Sequence, residues 1–80
     1  MTSKATKREV KAAIKTINRV FGDGEDVAQL IDWSSCGDGY AIGTHWDAIH
    51  ISGNDRVMAA LPAGLWLEPI NNGALRLYRN

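Results

Sequence analysis

Hydrophobic and polar residues alternate with the period of an α-helix at the start of the chain. At about 100° per residue, residues 4–21 form an apolar side and an opposite basic side. The apolar side consists of Val10, Ala13, Ile14, Ile17, Val20 and Phe21. The basic side, called the basic stripe here, consists of Lys4, Arg8, Lys11, Lys15 and Arg19. With Ser3 as a suitable N-cap and Gly22 as a suitable left-handed C-cap, the pattern predicts an amphipathic helix with its basic side exposed.

The next segment, VAQLID, is ambiguous between helix and strand. Val27, Leu30 and Ile31 are spaced as on one side of a helix, and Asp23 is positioned to cap it. A strand would instead place Val27 and Ile31 on the same face as the polar Gln29. The spacing therefore favours a short second helix.

From Tyr40 the pattern changes to the two-residue period of a β-strand. One face of this predicted strand carries Tyr40, Ile42, Thr44 and Trp46. The next large apolar residues, Ile49 and Ile51, are out of phase with that face. A tight turn at Trp46 and Asp47 would pair Ile42 with Ile51 and return both isoleucines to it. We therefore predict a hairpin here, with a β-bulge as the alternative.

The last third of the chain predicts a short helix followed by a second hairpin. Asn54 is a candidate helix cap, and Pro62 stops that helix. The segments LWLEPI and ALRLYR flank NNG, whose Asn-Gly pair is typical of a tight hairpin turn. In this hairpin one face is formed by Leu65, Leu67, Leu75 and Leu77. Pro69 suits an edge strand.

These elements predict an α+β fold for residues 1–80 as a single domain. An N-terminal amphipathic helix and a short second helix would pack on a small antiparallel sheet that ends in the C-terminal hairpin. A chain of 80 residues that is 45% hydrophobic and 22% charged has the composition of a globular protein and is too short for a second domain. Cys36 is the lone cysteine, and no apolar run is long enough to span a bilayer. We therefore expect a cytoplasmic protein without an internal disulfide.

The formal net charge is zero, but the charges are segregated along the chain. Up to Phe21, six basic residues and one acidic residue give +5; from Gly22, three basic and eight acidic residues give −5. The basic stripe is therefore a candidate for contact with nucleic-acid phosphates, or else an ordinary solvated helix face. The neutral total, and an acidic second helix where a helix-turn-helix protein has its recognition helix, weigh against nucleic-acid binding.

Trp66, Arg76 and Tyr78 form a second candidate surface. Alternation along the C-terminal hairpin places them on the face opposite the four leucines. These residue types are enriched at protein–protein interfaces, so an exposed patch predicts a protein partner. Two alternatives are that the rings cover a second side of the core, or that they stack on bases, which requires the basic stripe nearby.

His45, Asp47 and His50 are the strongest candidates for metal or catalytic chemistry. The predicted hairpin would place both histidines on one face, with the aspartate in the turn beside them. Their spacing matches no recognised ligand motif, and Cys36 lacks a nucleophile signature. We therefore predict no metal site, no cofactor and no catalytic residue.

The sequence favours a small, non-enzymatic binding protein. Our first hypothesis is a protein partner bound through Trp66, Arg76 and Tyr78, as in small accessory or inhibitor proteins of phages and mobile elements. The alternative is nucleic-acid binding through the basic stripe. No membrane partner is expected, and self-association through the aromatic patch or an edge strand stays open.

Overall fold

The computed structural model describes residues 3–45 and 47–80, which form a five-stranded antiparallel sheet and three α-helices. The strands are β1 (Ser3–Lys4), β2 (Ala28–Trp33), β3 (Gly39–Thr44), β4 (Leu65–Asn71) and β5 (Ala74–Arg79). The helices are α1 (Lys7–Val20), α2 (Ala48–Ser52) and α3 (Asp55–Ala60). The predicted α+β class, with an N-terminal amphipathic helix and a C-terminal hairpin, is confirmed. No described helix is long and apolar enough to cross a membrane.

Strand β5 is the centre of the sheet. One of its edges pairs with β4 along its whole length. Its other edge pairs first with β3 and then, beyond Leu75, with the short β1. Strand β2 pairs with β3 and forms the far side of the sheet. Pro69 therefore lies on an outer strand, as predicted, where its missing N–H breaks no ladder.

The helices cover one face of this sheet. Val10 and Ile17 of α1 are completely buried and belong to the same apolar cluster as Ile42 and Leu75 of the sheet. The other helices add further residues to this cluster, among them Ala48, Ile51 and Val57. The side chains on the opposite sheet face do not belong to it. The sheet is therefore packed on one side and uncovered on the other.

Helix α1 begins later than the sequence pattern predicts. Its N-cap is Thr6, whose Oγ1 accepts from Glu9 N at 3.2 Å, while Glu9 Oε1 accepts from Thr6 N at 2.9 Å. The prediction of Ser3 as the cap is wrong, because Ser3 and Lys4 pair with β5 instead. Lys4 is therefore not on α1. The reciprocal capping box, and not the basic stripe, determines where the helix starts.

The predicted left-handed cap at Gly22 is wrong as well. The positive φ angles follow it, at Asp23 (53°) and Gly24 (94°). Gly22 is instead required by close packing, since an added Cβ would lie 2.7 Å from the Glu25 carbonyl oxygen and 2.9 Å from that of Asn18. The chain reverses through a turn that passes directly beside the last turn of α1.

The predicted second helix at residues 27–31 is wrong, because this segment forms β2. Six consecutive residues of β2 pair with β3, from Ala28 opposite Thr44 to Trp33 opposite Gly39. The helical spacing of Val27 and the residues after it is a local pattern, and the hydrogen bonds to a second strand override it.

The predicted hairpin at Trp46 and Asp47 is also wrong. Strand β3 pairs with β2 and β5, and Asp47 caps α2 by accepting from Ile49 N at 3.0 Å. Ile51 is buried because it lies on the inner side of this helix, while Ile49 is 56% exposed. Trp46, predicted on the face of Tyr40 and Ile42, lies outside the described residues.

The elements of the last third agree with the prediction. Asn54 caps α3 by accepting from two backbone N–H groups, and α3 ends before Pro62. The C-terminal hairpin turns at Asn72 and Gly73. The leucines of both strands face the core: Leu65, Leu67, Leu75 and Leu77. The residues between them therefore point to the uncovered face.

Candidate protein-binding surface

The uncovered face of the sheet carries large apolar and aromatic side chains. We call it the aromatic face; its large apolar and aromatic residues and its arginine are Ile31, Trp33, Trp66, Arg76 and Tyr78, and its exposed polar residues are Lys4, Gln29 and Glu68. Antiparallel sheets often have one solvated face, but polar residues usually occupy it. The aromatic face is not a polar surface of this kind, and its apolar members are all partly exposed. An exposed patch of such side chains is typical of an interaction site.

Trp66 and Tyr78 form its most ordered part. They are register partners in the C-terminal hairpin, and their rings stack with centroids 4.7 Å apart and planes inclined by 25°. The indole Nε1 of Trp66 also donates to Asn80 Oδ1 at 3.2 Å. Neither ring packs in the core cluster. The two rings therefore form a fixed, partly exposed pair rather than a second side of the core.

Arg76 lies at the centre of the aromatic face and is only 8% exposed. Its Nη1 donates to the Asp38 carbonyl oxygen at 2.7 Å, and its Cζ lies 5.5 Å from the centroid of the Trp33 ring. Because two strand spacings separate β5 from β2, the side chain must cross β3, a distance of about 10 Å. Arg76 therefore links Trp33 to the rest of the face and is held in one position.

Strand β3 makes this crossing possible because its residues on the aromatic face are small. They are Gly39, Ala41 and Gly43. Ala41 is completely buried, and an added Cβ on Gly43 would lie 3.1 Å from Cδ1 of Ile31. Arg76 from β5 and Ile31 from β2 therefore extend over β3.

The turn after β2 holds the partners of Arg76. Asp38 N donates to the Trp33 carbonyl oxygen at 3.1 Å, and Gly37 and Gly39 have left-handed φ angles of 79° and 72°. Asp32 accepts hydrogen bonds from the side chain and the backbone of Ser34, and these bonds lower the pKa of Asp32. The carbonyl oxygen that binds Arg76 is thus fixed by the turn itself.

Charges on the aromatic face nearly balance. Lys4 lies opposite Tyr78 in the register, and its Nζ is 3.6 Å from Asp38 Oδ1. Arg76 lies opposite Glu68, but no described carboxylate is within ion-pair distance of Arg76. The face therefore has little excess charge, and its one fixed guanidinium is without a carboxylate partner in the described part of the chain.

The sequence pattern predicted Trp66, Arg76 and Tyr78 on this face but did not predict Trp33 and Ile31 there. The cause is the wrong helix prediction for β2. As a strand, the segment AQLIDW places Ile31 and Trp33 on one side, and this alternation was the signal that could have found them.

The basic side of α1 is exposed, but one predicted member is elsewhere. The remaining four residues, which we call the basic row, are Arg8, Lys11, Lys15 and Arg19. Within the described residues, none of the four forms an ion pair. Because α1 covers the packed side of the sheet, the basic row and the aromatic face are on opposite sides of the molecule. Lys4 is separate from the row, since it lies in β1.

The histidines do not form the predicted site. His45 follows β3 and donates its backbone N–H to Val27 O, while His50 lies in α2, so the strand pair that would align them is absent. Nowhere in the described chain do three or more His, Cys, Asp or Glu side chains come together to hold a metal ion. Cys36 is an exposed free thiol in a 3₁₀ turn.

A cleft of about 330 Å³ lies between α1 and the start of β4. Its lining includes Arg8, Ala12 and Leu65, together with Glu9 and Arg79, which form an ion pair of 3.6 Å. Since Glu9 and Arg79 already pair with each other, they are less available to a ligand, and the cleft is a weaker candidate site than the aromatic face.

No protein-family model, curated protein or solved structure matches this chain. The aromatic face and the basic row are therefore interpreted from their own chemistry.

Proposed function

We propose that this protein acts by binding another protein through the aromatic face. The observation that supports this most is the pair of fixed contacts on an uncovered sheet: Trp66 stacked on Tyr78, and Arg76 held against Trp33. Tryptophan, tyrosine and arginine dominate the energetics of protein interfaces. Since these side chains are already ordered, binding would cost little conformational entropy. A small accessory or inhibitor protein would work in this way.

The charges of this surface favour a protein over a nucleic acid. A stacking platform for single-stranded nucleic acid needs an adjacent positive groove that follows the phosphates. Here Lys4 pairs with Asp38, Glu68 is the register neighbour of Arg76, and the basic row lies on the opposite side of the sheet. A partner with an apolar contact region fits this surface better than a polyanion does.

The partner's chemistry follows from the same residues. The Trp66–Tyr78 pair offers a flat apolar area for an aliphatic or aromatic side chain. Arg76 is nearly buried and its Nη1 already donates to the Asp38 carbonyl oxygen, so its contribution is to hold Trp33 in place beside the aromatic pair. A partner surface with an apolar anchor fits this arrangement.

The test is a binding measurement with a purified partner. Proteins captured by the wild type would be identified and expressed, and their dissociation constants for the wild type and for each variant would be measured by calorimetry. We expect Trp66→Ala to raise the dissociation constant about 30-fold, equivalent to roughly 2 kcal/mol. Lys15→Ala, on the opposite side of the molecule, is the matched control and should leave the constant unchanged.

Two results would contradict this proposal. A purified partner that binds wild type and Trp66→Ala equally would place its site elsewhere. Self-association that is lost with Trp66→Ala, seen by sedimentation in the absence of a partner, would make the aromatic face a contact between two copies. Denaturant unfolding of each variant separates loss of binding from loss of the fold.

A catalytic role is not part of the proposal. The candidate histidines are not brought together, and the described residues form no metal-binding group. A binding function requires only the fixed surface that the sheet presents.

A further inference from the structure

The basic row is a second surface that the proposed function does not use. Its residues follow one another at intervals of three, four and four positions along α1, so they lie in one line. All four are exposed, and within the described chain none has an ion-pair partner. Neighbouring like charges at these intervals weaken a helix. The row is thus a concentration of positive charge that no described carboxylate neutralises by an ion pair and that does not stabilise the helix.

The composition of this surface indicates what kind of anion would bind. A protein interface depends on buried aromatic or apolar anchors. The exposed side of α1 offers instead Ala12 and Thr16 between the cations, and its large apolar residues face the core. A polyanion that binds through charge alone requires no such anchor. Phosphate chains fit this surface better than an acidic protein does.

The same composition distinguishes double-stranded from single-stranded nucleic acid. Single-strand binding uses aromatic side chains on which bases stack, and the aromatic face lies on the far side of the sheet. From Arg8 to Arg19 the row extends about 16 Å along the helix axis. Duplex DNA carries one negative charge per roughly 1.7 Å of its axis, a spacing much shorter than the row. Phosphates are therefore near the four cations wherever along the duplex the row makes contact. We propose that the basic row binds the phosphate backbone of duplex nucleic acid independently of base sequence.

An acidic loop limits this contact at one end. Asp23, Glu25 and Asp26 follow α1 directly and are all exposed. Because these carboxylates repel phosphates, they weaken the contact at the Arg19 end of the row without removing it. Removing a loop charge, as in Glu25→Gln, should therefore tighten binding.

The experiment is fluorescence anisotropy with a labelled mixed-sequence DNA duplex of about 20 base pairs, over a series of salt concentrations. Four phosphate contacts predict a slope of about −3.6 for log Kobs against log salt, or an affinity loss of about 150-fold between 50 and 200 mM salt. Lys11→Gln and Lys15→Gln should each reduce the slope by about 0.9. A second duplex of different sequence should bind equally.

Lys4→Gln is the matched control, since it removes the same charge from β1 on the other side of the sheet. Its slope should equal that of the wild type, as should the slope of Trp66→Ala. No binding at low salt, an unchanged slope with Lys11→Gln, or an equal loss with Lys4→Gln would overturn the proposal. Equal or tighter binding to poly-glutamate, or to vesicles of phosphatidylserine and phosphatidylcholine, would also overturn it, because the occupant would then be a different anion.

Discussion

Asn18 shows how much a single side chain can determine in this fold. Its Oδ1 accepts from Val27 N at 2.9 Å and from Ala28 N at 2.8 Å, and its Nδ2 donates to Ala28 O at 3.2 Å. Its own carbonyl oxygen accepts from Gly24 N. One residue near the end of α1 thus fixes the turn that follows and the first residues of β2.

We expect Asn18→Ala to reduce the free energy of unfolding by about 2 kcal/mol, because three backbone groups of Val27 and Ala28 lose their partner in a half-buried position. Urea denaturation measures this directly. Thr16→Ala is the control: its hydroxyl bonds only to the Ala12 carbonyl oxygen in its own helix, and its loss should cost less than about 0.5 kcal/mol. Equal effects of the two substitutions would show that Asn18 has no special role.

Which single residues can be predicted from sequence depends on how far away their partners lie. Asn54 was identified correctly, since a cap bonds to backbone two and three residues later. The partners of Asn18 are about ten residues away. Such roles depend on the folded path of the chain, which the local pattern does not contain.

At the level of elements, the capping box of α1 couples the helix to pH. The backbone N–H of Thr6, which donates to Glu9, is the main cause of the lowered pKa of Glu9, with the Thr6 hydroxyl and Arg79 as smaller contributions. A carboxylate whose pKa is lower in the folded state stabilises it above the unfolded pKa, ordinarily 4.5. That contribution is lost as the pH falls through the lowered value.

We therefore expect the wild type to be more stable than Glu9→Gln near neutral pH, and the difference to shrink below about pH 4.5. Thermal unfolding of both proteins between neutral and acid pH measures it. Glu68→Gln removes an exposed carboxylate of β4 with no described ion pair and should show no such convergence. A difference that persists in acid would show that the glutamate acts through something other than its charge.

The like charges of α1 make a second prediction for this element. Lys11 has a cation three residues before it and another four residues after it, and each such pair costs about 0.2–0.5 kcal/mol. Lys11→Gln should therefore raise the free energy of unfolding by about 0.5 kcal/mol at low salt and much less near 1 M, where charges are screened. Arg79→Gln, which loses the contact with Glu9, should act in the opposite direction. A gain from Lys11→Gln that does not depend on salt would contradict the electrostatic explanation.

The elements themselves differ in how well sequence predicts them. Helix α1 and the C-terminal hairpin have repeated patterns and local turn residues, so both were predicted correctly apart from the two caps of the helix. Strand β2 was not, because its stability comes from β3, which its own six residues do not reveal. The hairpin predicted at Trp46 and Asp47 was wrong because Ile51 joins the core from helix α2. Strand alternation in the sequence does not reveal that a helix buries this residue.

At the level of the whole molecule, the aromatic face and the basic row lie on opposite sides of the sheet, whereas the sequence alone did not determine their relative positions. Placing Trp66, Arg76 and Tyr78 together required only strand alternation, but placing the basic row on the opposite side required the packing of α1 on the sheet. A base-stacking platform needs both surfaces together, and this separation does not provide that arrangement. Trp33 entered the site only once β2 was known to be a strand.

The position of β5 has a consequence for the way the protein is made. Synthesis runs from the N-terminus, so β5 is the last of the described elements to appear, yet it pairs with β1, β3 and β4. Ser3 and Arg79, at the two ends of the described chain, are partners. Until β5 is synthesised, β3 lacks its pairing partner at Ile42 and the core lacks Leu75 and Leu77, so apolar surface stays open to aggregation.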